Sequence, residues 1–291
     1  MLLLITFCVV FLIQSYFYLL LFRKYTSYRH AVIENKSSPI SIVVCAKNEA
    51  ENLKRLLPSL ARQIYPLFEI ILVDDASTDG TLNEMLSFEK VHVNAAFKVT
   101  IVHIVQGDSK GKKEALAKGI QTAQNKYILL TDADCQPTSE KWMAHMAAHF
   151  SQKTAIVLGY GAYQKINNSF LNKLIRFETL LTALQYFSYA LAGKPYMGVG
   201  RNLAYKKETF LKAGGFKQHS HIRSGDDDLF VSQIANQNNT AICDHQESFT
   251  ESKPHIHFRN WIRQKRRHIT TASQYKPGTK ILLSLFFISQ F

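Results

Sequence analysis

The sequence predicts an α/β three-layer domain on a mixed, mostly parallel sheet, preceded by a transmembrane helix. Across residues 39–163, short apolar runs rich in β-branched residues alternate with segments of helical spacing. An uncharged stretch fills Leu2 to Phe22. Hydrophobic residues make up 46% of the chain and charged residues 20%, with 13 Gly and 7 Pro. That supports an ordinary core and excludes a disordered or collagen-like chain.

The first element is the apolar stretch. Its 21 residues make about 31 Å of helix, enough to cross a hydrocarbon layer of about 30 Å. A cleaved signal would place its basic residues ahead of the run. Here Arg23 and Lys24 follow it and none precede. Residues 1–23 therefore read as an anchor and 24–38 as a linker. The basic flank of Arg23, Lys24 and Arg29 places the following domain on the cytoplasmic side of a cell membrane.

Next come the buried-strand candidates Ile40–Cys45, Phe68–Val73, Val99–Val105, Tyr127–Thr131 and Ala155–Gly159. Continuous apolar runs suit strands covered on both faces. The helical segments between them are Glu49–Gln63, Thr81–Phe88, Lys112–Gln124 and Glu140–Phe150. Such a βαβ series gives a parallel sheet, whose ligands bind outside the C-terminal strand ends. Phe170–Leu191 is a long apolar helix, either of the core or lying along a groove or membrane. Residues 251–280 read as a basic amphipathic segment, and 281–291 as the start of a second hydrophobic helix, cut short. Four widely spaced cysteines argue for free thiols. His255 and His257 are a close pair with no third ligand spaced to join them, so no zinc site is expected.

Acidic residues recur after the strands of a protein whose net charge is +13. Glu49 follows the first strand, Asp74-Asp75-Ala76-Ser77-Thr78-Asp79-Gly80 the second and Asp132-Ala133-Asp134 the fourth. Repelling carboxylates at one edge suggest a divalent cation. For Ser77, Thr78 and Asp79, turn and capping chemistry is the competing reading. Lys110 to Lys113 open a helix, as a phosphate site or a solvated basic face. Neither a Walker loop nor GxGxxG is present. Asp226, Asp227 and Asp228 are adjacent, either as coupled carboxylates or as the cap of a helix opening near Leu229. From Ser252 onward there are eight Lys/Arg and no Asp/Glu. Those charges suit phosphate, anionic lipid or the flank of a membrane helix.

Five motifs now stand in order. They are Ile42-Val-Val-Cys-Ala-Lys-Asn-Glu49, Ile71-Leu-Val-Asp-Asp-Ala-Ser-Thr-Asp-Gly-Thr81, Leu129-Leu-Thr-Asp-Ala-Asp134, Gly198-Val-Gly-Arg-Asn-Leu-Ala-Tyr205 with Ala213-Gly-Gly-Phe216, and Ser224-Gly-Asp-Asp-Asp-Leu229 followed by Gln264-Lys-Arg-Arg-His268. Together they resemble inverting glycosyltransferases of family 2, which have the GT-A fold. Gly225 stands where the family often has Glu, and His268 where processive members have Trp. The second departure speaks against processive synthesis.

The resemblance implies a nucleotide-binding half at 39–135 and an acceptor half at 136–250. It implies Asp134 as a ligand of Mg2+ or Mn2+, with Asp132 sharing the metal or contacting ribose. Asp75 would bond the base, most often uracil, and Glu49 would line the nucleoside pocket. Lys112 and Arg267 would reach phosphate. Asp226 would be the base that deprotonates the acceptor, with Arg201, Asn202, Asp227 and Gln264 on the acceptor side. The implied reaction moves a sugar from a nucleotide-diphosphate donor to a lipid-linked or polysaccharide acceptor at the membrane. A tethered binder of anionic lipid or nucleic acid would leave Asp132, Asp134 and Asp226 without a role. A sugar-nucleotide pyrophosphorylase would want a Gly-rich first loop, which Ala46-Lys47-Asn48 lacks. No nucleic-acid partner is expected.

Overall fold

A computed structural model describes residues 1–29, 38–222 and 224–290. Most of the expected linker, residues 30–37, lies outside the described residues.

Helix α1 (Leu2–Ser15) continues through a π-helical stretch (Tyr16–Phe22) into α2 (Arg23–Thr26). The continuous helix has 25 residues and a mean hydropathy of 2.2, long and apolar enough to cross a membrane. The domain begins with β1 (Ile40–Ala46), α3 (Ala50–Ala61), β2 (Phe68–Asp75), α4 (Thr81–Val91), β3 (Lys98–Ile104), α5 (Lys112–Thr122) and β4 (Tyr127–Leu130). Then come β5 (Cys135–Pro137), α6 (Trp142–Ala148), β6 (Ile156–Leu158), β7 (Gly161–Tyr163), α7 (Phe170–Leu191), β8 (Leu203–Lys206) and α8 (Lys207–Lys212). The chain closes with α9 (Asp228–Ile234), β9 (Thr240–Ile242), β10 (Thr250–Ser252), α10 (Phe258–Ala272) and α11 (Pro277–Ile288).

Seven strands form the main sheet in the order β3-β2-β1-β4-β8-β6-β9. β3, β2, β1 and β4 are parallel, β8 runs antiparallel to both its neighbours, and β9 is parallel to β6. Alternate residues serve opposite faces, as the two-residue strand period requires. Val43, Ile71 and Ile128 pack with α5, α7 and α9. Ile42, Val44, Ile70 and Leu129 pack with α3, α4 and α6. Gly119 lets α5 lie close on the sheet, because a Cβ there would meet Val73 at 2.6 Å and Val43 at 2.8 Å.

A second sheet, β5-β10-β7, stands beside the first. β10 brings residue 251 into that sheet, so the basic segment starts after it, not at 251. The C-terminal helix begins at Pro277, ahead of the expected 281, and its Phe286 packs between Phe17 and Phe22 of the N-terminal helix.

Candidate active site

β1 and β2 end side by side, with Ala46 paired to Asp74. The loops that leave them lock together. The Asn48 N–H donates to Ser77 Oγ (3.0 Å), the Thr78 N–H to Asn48 Oδ1 (2.8 Å) and the Glu49 N–H to Thr81 Oγ1 (2.7 Å). Asp79 accepts from the Thr81 hydroxyl and N–H and from the Ala50 N–H. Ser77, Thr78 and Asp79 are thus turn and cap residues. Asp74 is structural too, fully buried with its Oδ2 2.8 Å from His103 Nδ1. Ala76 takes a left-handed φ of 54°, a conformation costing a non-glycine residue about 1 kcal/mol or more. That turn carries Asp75, which is 3% exposed and accepts from Ser109 Oγ at 2.6 Å.

Across the sheet edge, the loop after β4 presents Asp132 and Asp134. The lysines at the start of α5 divide their work. Lys112 Nζ lies 2.8 Å from Asp132 Oδ1 and 2.9 Å from Asp226 Oδ2. Lys113 Nζ donates to the carbonyls of His219 (2.7 Å) and Ile222 (3.0 Å), fastening the loop that leads to Asp226. Burial works against the Lys112 charge, but Asp132, Asp226 and Asp227 hold its ammonium well above the usual lysine range. Burial and the neighbouring Asp132 push the Asp134 carboxyl up. Burial does the same to Glu49, aided by the charges of Asp134 and Asp132 and opposed by a hydrogen bond from Asn52.

Glu49, Asp75, Lys112, Asp132, Asp134 and Arg267 line one cleft of about 450 Å³. Cys45, Lys47 and Gly111 also line it; they lie within the first motif and the lysine-flanked helix start, though none was expected as a site residue. The ligand atoms of Asp132, Asp134 and Cys135 lie within 4.8 Å of one another. Burial raises the Cys135 thiol well above its usual range, so it stays protonated. That leaves two carboxylates, one pushed up by the other, an oxygen set that fits a hard divalent cation.

The second acidic group is buried. Burial tends to raise the Asp226 carboxyl, but the Lys112 charge and hydrogen bond hold it below the ordinary range. Asp227 takes the cap position of α9. Its Oδ2 accepts from the Gly200 N–H and its Oδ1 from the Asp228 N–H, both at 2.8 Å. Burial and the charges of Asp226 and Asp228 raise its carboxyl to about 7. Asp228 Oδ2 accepts from the hydroxyls of Thr271 and Tyr275 (2.7 Å), clamping α10 to the start of α9. Gly225 has a φ of 95°, and a Cβ there would meet Leu229 at 2.5 Å. No glutamate fits that backbone.

Tyr163 gathers two of the expected acceptor-side residues. Arg201 stacks over its ring at 4.4 Å, and Gln264 Nε2 donates to its hydroxyl at 3.3 Å. Asn202 is elsewhere. It is fully buried, accepts from Trp142 Nε1 (3.0 Å) and donates to the carbonyls of Tyr160 (3.0 Å) and Ser248 (2.7 Å). Its side chain is spent on the core, which corrects its expected place facing the acceptor. Asp227 likewise spends both oxygens on backbone N–H groups and holds the loop.

A cluster without a spacing signal joins His145, His245 and Glu247. The two rings stack at 3.9 Å and 11°, whereas imidazoles sharing one tetrahedral ion diverge from it. Lys141 also pairs with Glu247 at 3.3 Å. The cluster is satisfied as a contact between α6 and the segment after β9.

Residues 41–213, more than half of the chain, match the family model described as glycosyl transferase family 2. The poly(ribitol-phosphate) beta-glucosyltransferase of Bacillus spizizenii is 31% identical over 194 residues, 66% of this chain and 28% of that protein. The poly-beta-1,6-N-acetyl-D-glucosamine synthase of Staphylococcus epidermidis is 34% identical over 95 residues, 33% of this chain and 21% of that protein. This chain thus spans less than a third of the length of both relatives. A mannosyltransferase from Pyrobaculum calidifontis, solved with GDP-Man and Mn2+, superposes with a TM-score of 0.72 at 19% identity, over 96% of this chain and 79% of that one. The expected GT-A fold stands, and the chain belongs to glycosyl transferase family 2.

Proposed function

We propose that this chain is an inverting glycosyltransferase. It moves a sugar from a nucleotide-diphosphate donor, UDP-linked by expectation, to a lipid-linked or polysaccharide acceptor at the cytoplasmic face of a membrane. The observation that carries this is Lys112. It joins the donor-side Asp132 to the buried Asp226 across a cleft that also holds Glu49, Asp75, Asp134 and Arg267.

In this reading, residues 39–135 hold the donor. Asp75, positioned by Ser109, bonds the base, and Glu49 closes the nucleoside pocket. Asp132 and Asp134 hold Mg2+ or Mn2+, which when bound neutralises the leaving diphosphate. Lys112 and Arg267 add cationic contacts to the same oxygens. Asp226 takes the proton of the acceptor hydroxyl, and its depressed titration keeps it ionised and ready at neutral pH. As Lys112 turns to phosphate, Asp226 loses its nearest cation and becomes a stronger base. Residues 136–250, with Arg201 and Gln264 around Tyr163, face the acceptor.

The N-terminal helix is the membrane anchor in this reading. Phe177 and Leu180 of α7 and Ile262 and Ile269 of α10 are exposed apolar residues, and Arg259, Arg263 and Arg266 lie exposed among the latter. That pairing of apolar and cationic groups suits an interface with anionic lipid.

Calorimetric titration of the detergent-solubilised protein tests the donor half. UDP should bind with Mn2+ and lose that binding in EDTA. Binding of GDP alone would reassign the base, as for the neighbour solved with GDP-Man. No nucleotide binding in any condition would overturn the reading.

A further inference from the structure

Two neighbouring lysines open α5, and the fold uses them differently. Lys112 lines the cleft, bonds carboxylates and keeps 42% of its side chain exposed. Lys113 is 9% exposed and stands outside the cleft lining. Its ammonium bonds the carbonyls of His219 (2.7 Å) and Ile222 (3.0 Å) and, among the described residues, no carboxylate. Burying an ammonium is costly unless its protons are bonded, and here two backbone oxygens meet it. An apolar residue at 113 would avoid that cost and would bond nothing.

The segment held by Lys113 has few other polar ties. Lys217–His219 form one short 3-10 turn. The backbone bonds around it are local, from the His219 N–H to Phe216, the Ser220 N–H to Lys217 and the Ile222 N–H to His219. Among the described residues, side-chain hydrogen bonds from another element reach 217–222 only from Lys113. Asp226 follows Ile222 by four residues. On its far side the Asp227 carboxylate accepts from the Gly200 N–H at 2.8 Å. Asp226 is thus slung between two anchors, Lys113 ahead and Asp227 behind, while Lys112 reaches its Oδ2 from the cleft.

We infer that Lys113 is the positioning residue that keeps Asp226 in place when Lys112 leaves it for the donor's diphosphate. The inference rests on the transfer reaction proposed above. One ammonium bridges Asp132 and Asp226, and that same ammonium turns to phosphate, so the carboxylate loses its tie from the cleft side. Lys113 bonds carbonyls outside the cleft and is not drawn off with it. Both lysines lie in the first turn of one helix, so the remaining anchor stays beside the bound donor. Charge serves the same end. Burial raises the Asp226 carboxyl, Lys112 lowers it, and Lys113 lowers it further.

Hydrogen exchange of the detergent-solubilised full chain, read in peptides covering 217–222, tests this. Without nucleotide, Lys113→Met should speed exchange there by about 10-fold or more, the loss of two bonds from a charged donor. Lys112→Met should change it by no more than about twofold, since the carbonyl anchor remains. Lys118→Gln, farther along the same helix and paired with Glu114, should match wild type. UDP with Mn2+ then separates positioning from general loosening. Wild type should keep its exchange in 217–222 when the nucleotide binds. Lys113→Met should speed up a further several-fold, because Lys112 is then withdrawn as well. Equal acceleration with and without nucleotide would mark a merely structural tie and overturn the inference. So would an acceleration in Lys112→Met as large as in Lys113→Met. Should Lys113→Met not fold, Lys113→Gln, which keeps an N–H donor group, is judged by the same two criteria. A wild type that binds neither UDP nor GDP counts against the proposed reaction, while the two lysine variants without nucleotide still decide which lysine holds the segment.

Discussion

Asp132 and Asp134 sit on a short open loop after β4, while Asp226, Asp227 and Asp228 sit buried at the start of α9. The open pair repels. Asp134 is pushed up by burial and by Asp132, and the one ammonium beside them is shared with Asp226. The buried triplet is provided for, residue by residue. Asp226 has Lys112, Asp227 has two backbone N–H groups, and Asp228 has two hydroxyls and the Leu229 N–H. An acidic group with unmet charge suits a cation that comes and goes with substrate. An acidic group whose every member is held by a partner suits fixed geometry. In the proposed function the contrast would give ligand capture to the first group and positioning to the second, with Asp226 the member that faces both.

The sharpest way to break the contrast is Asp226→Asn. The amide keeps the shape and loses the base, so turnover should fall about a thousandfold while metal-dependent nucleotide binding changes little. Wild-type turnover would remove Asp226 as the base. Asp228→Ala should instead act on stability. It strands the buried Tyr275 hydroxyl, while Thr271 keeps the His268 carbonyl, at a cost of about 1–3 kcal/mol read by denaturant unfolding, with faster hydrogen exchange in α10. Unchanged stability would show that α10 is held by other contacts. Asp134→Ala should weaken Mn2+-dependent nucleotide binding by about 10- to 100-fold, the loss expected for one charged contact, with little change in unfolding. A large stability loss there would erase the distinction between the two groups.

The parallel half of the fold was legible because its strands are buried on both faces. Ile40–Ala46 and Phe68–Asp75 are apolar apart from Ser41, Glu69 and the closing aspartates and run into acidic turns, and both signals survive without tertiary context. β8 was not legible. Its four residues end in Lys206 and lie within a motif, and only pairing to β4 and β6 makes them a strand. The three-residue strands β5, β7 and β10 are too short to show a period. At the site, residue types after strands were informative, but their duties were not. Nothing in the spacing separates Lys112 from Lys113, or shows that Asn202 turns inward to Trp142. Asp228 and Tyr275 are 47 residues apart, as His145 and Glu247 are 102 apart, and such contacts exist only once the chain is folded.

The smallest effect tests Asp227. Its carboxyl rises from an ordinary 3.8 to about 7 on folding, because burial and two flanking carboxylates oppose its charge. Between those values the native state holds a proton that the unfolded chain has released. Its contribution to stability is therefore fully present below about 3.8 and is lost as pH rises through 7. Asp226 has the opposite sign, since its depressed carboxyl contributes above its ordinary value and is lost only in stronger acid. The two windows do not overlap, so a single variant isolates the first. Asp227→Asn meets one of the two backbone N–H groups with its own NH2, which adds a pH-independent cost of about 1 kcal/mol on top of the lost titration. The informative quantity is the slope. Wild type should lose thermal midpoint between pH 4 and 7 more steeply than Asp227→Asn, and the two curves should run parallel below pH 4. Parallel curves throughout would mean that Asp227 ionises normally in the fold, and that the buried triplet shares its charge with Lys112 as openly as the exposed pair does.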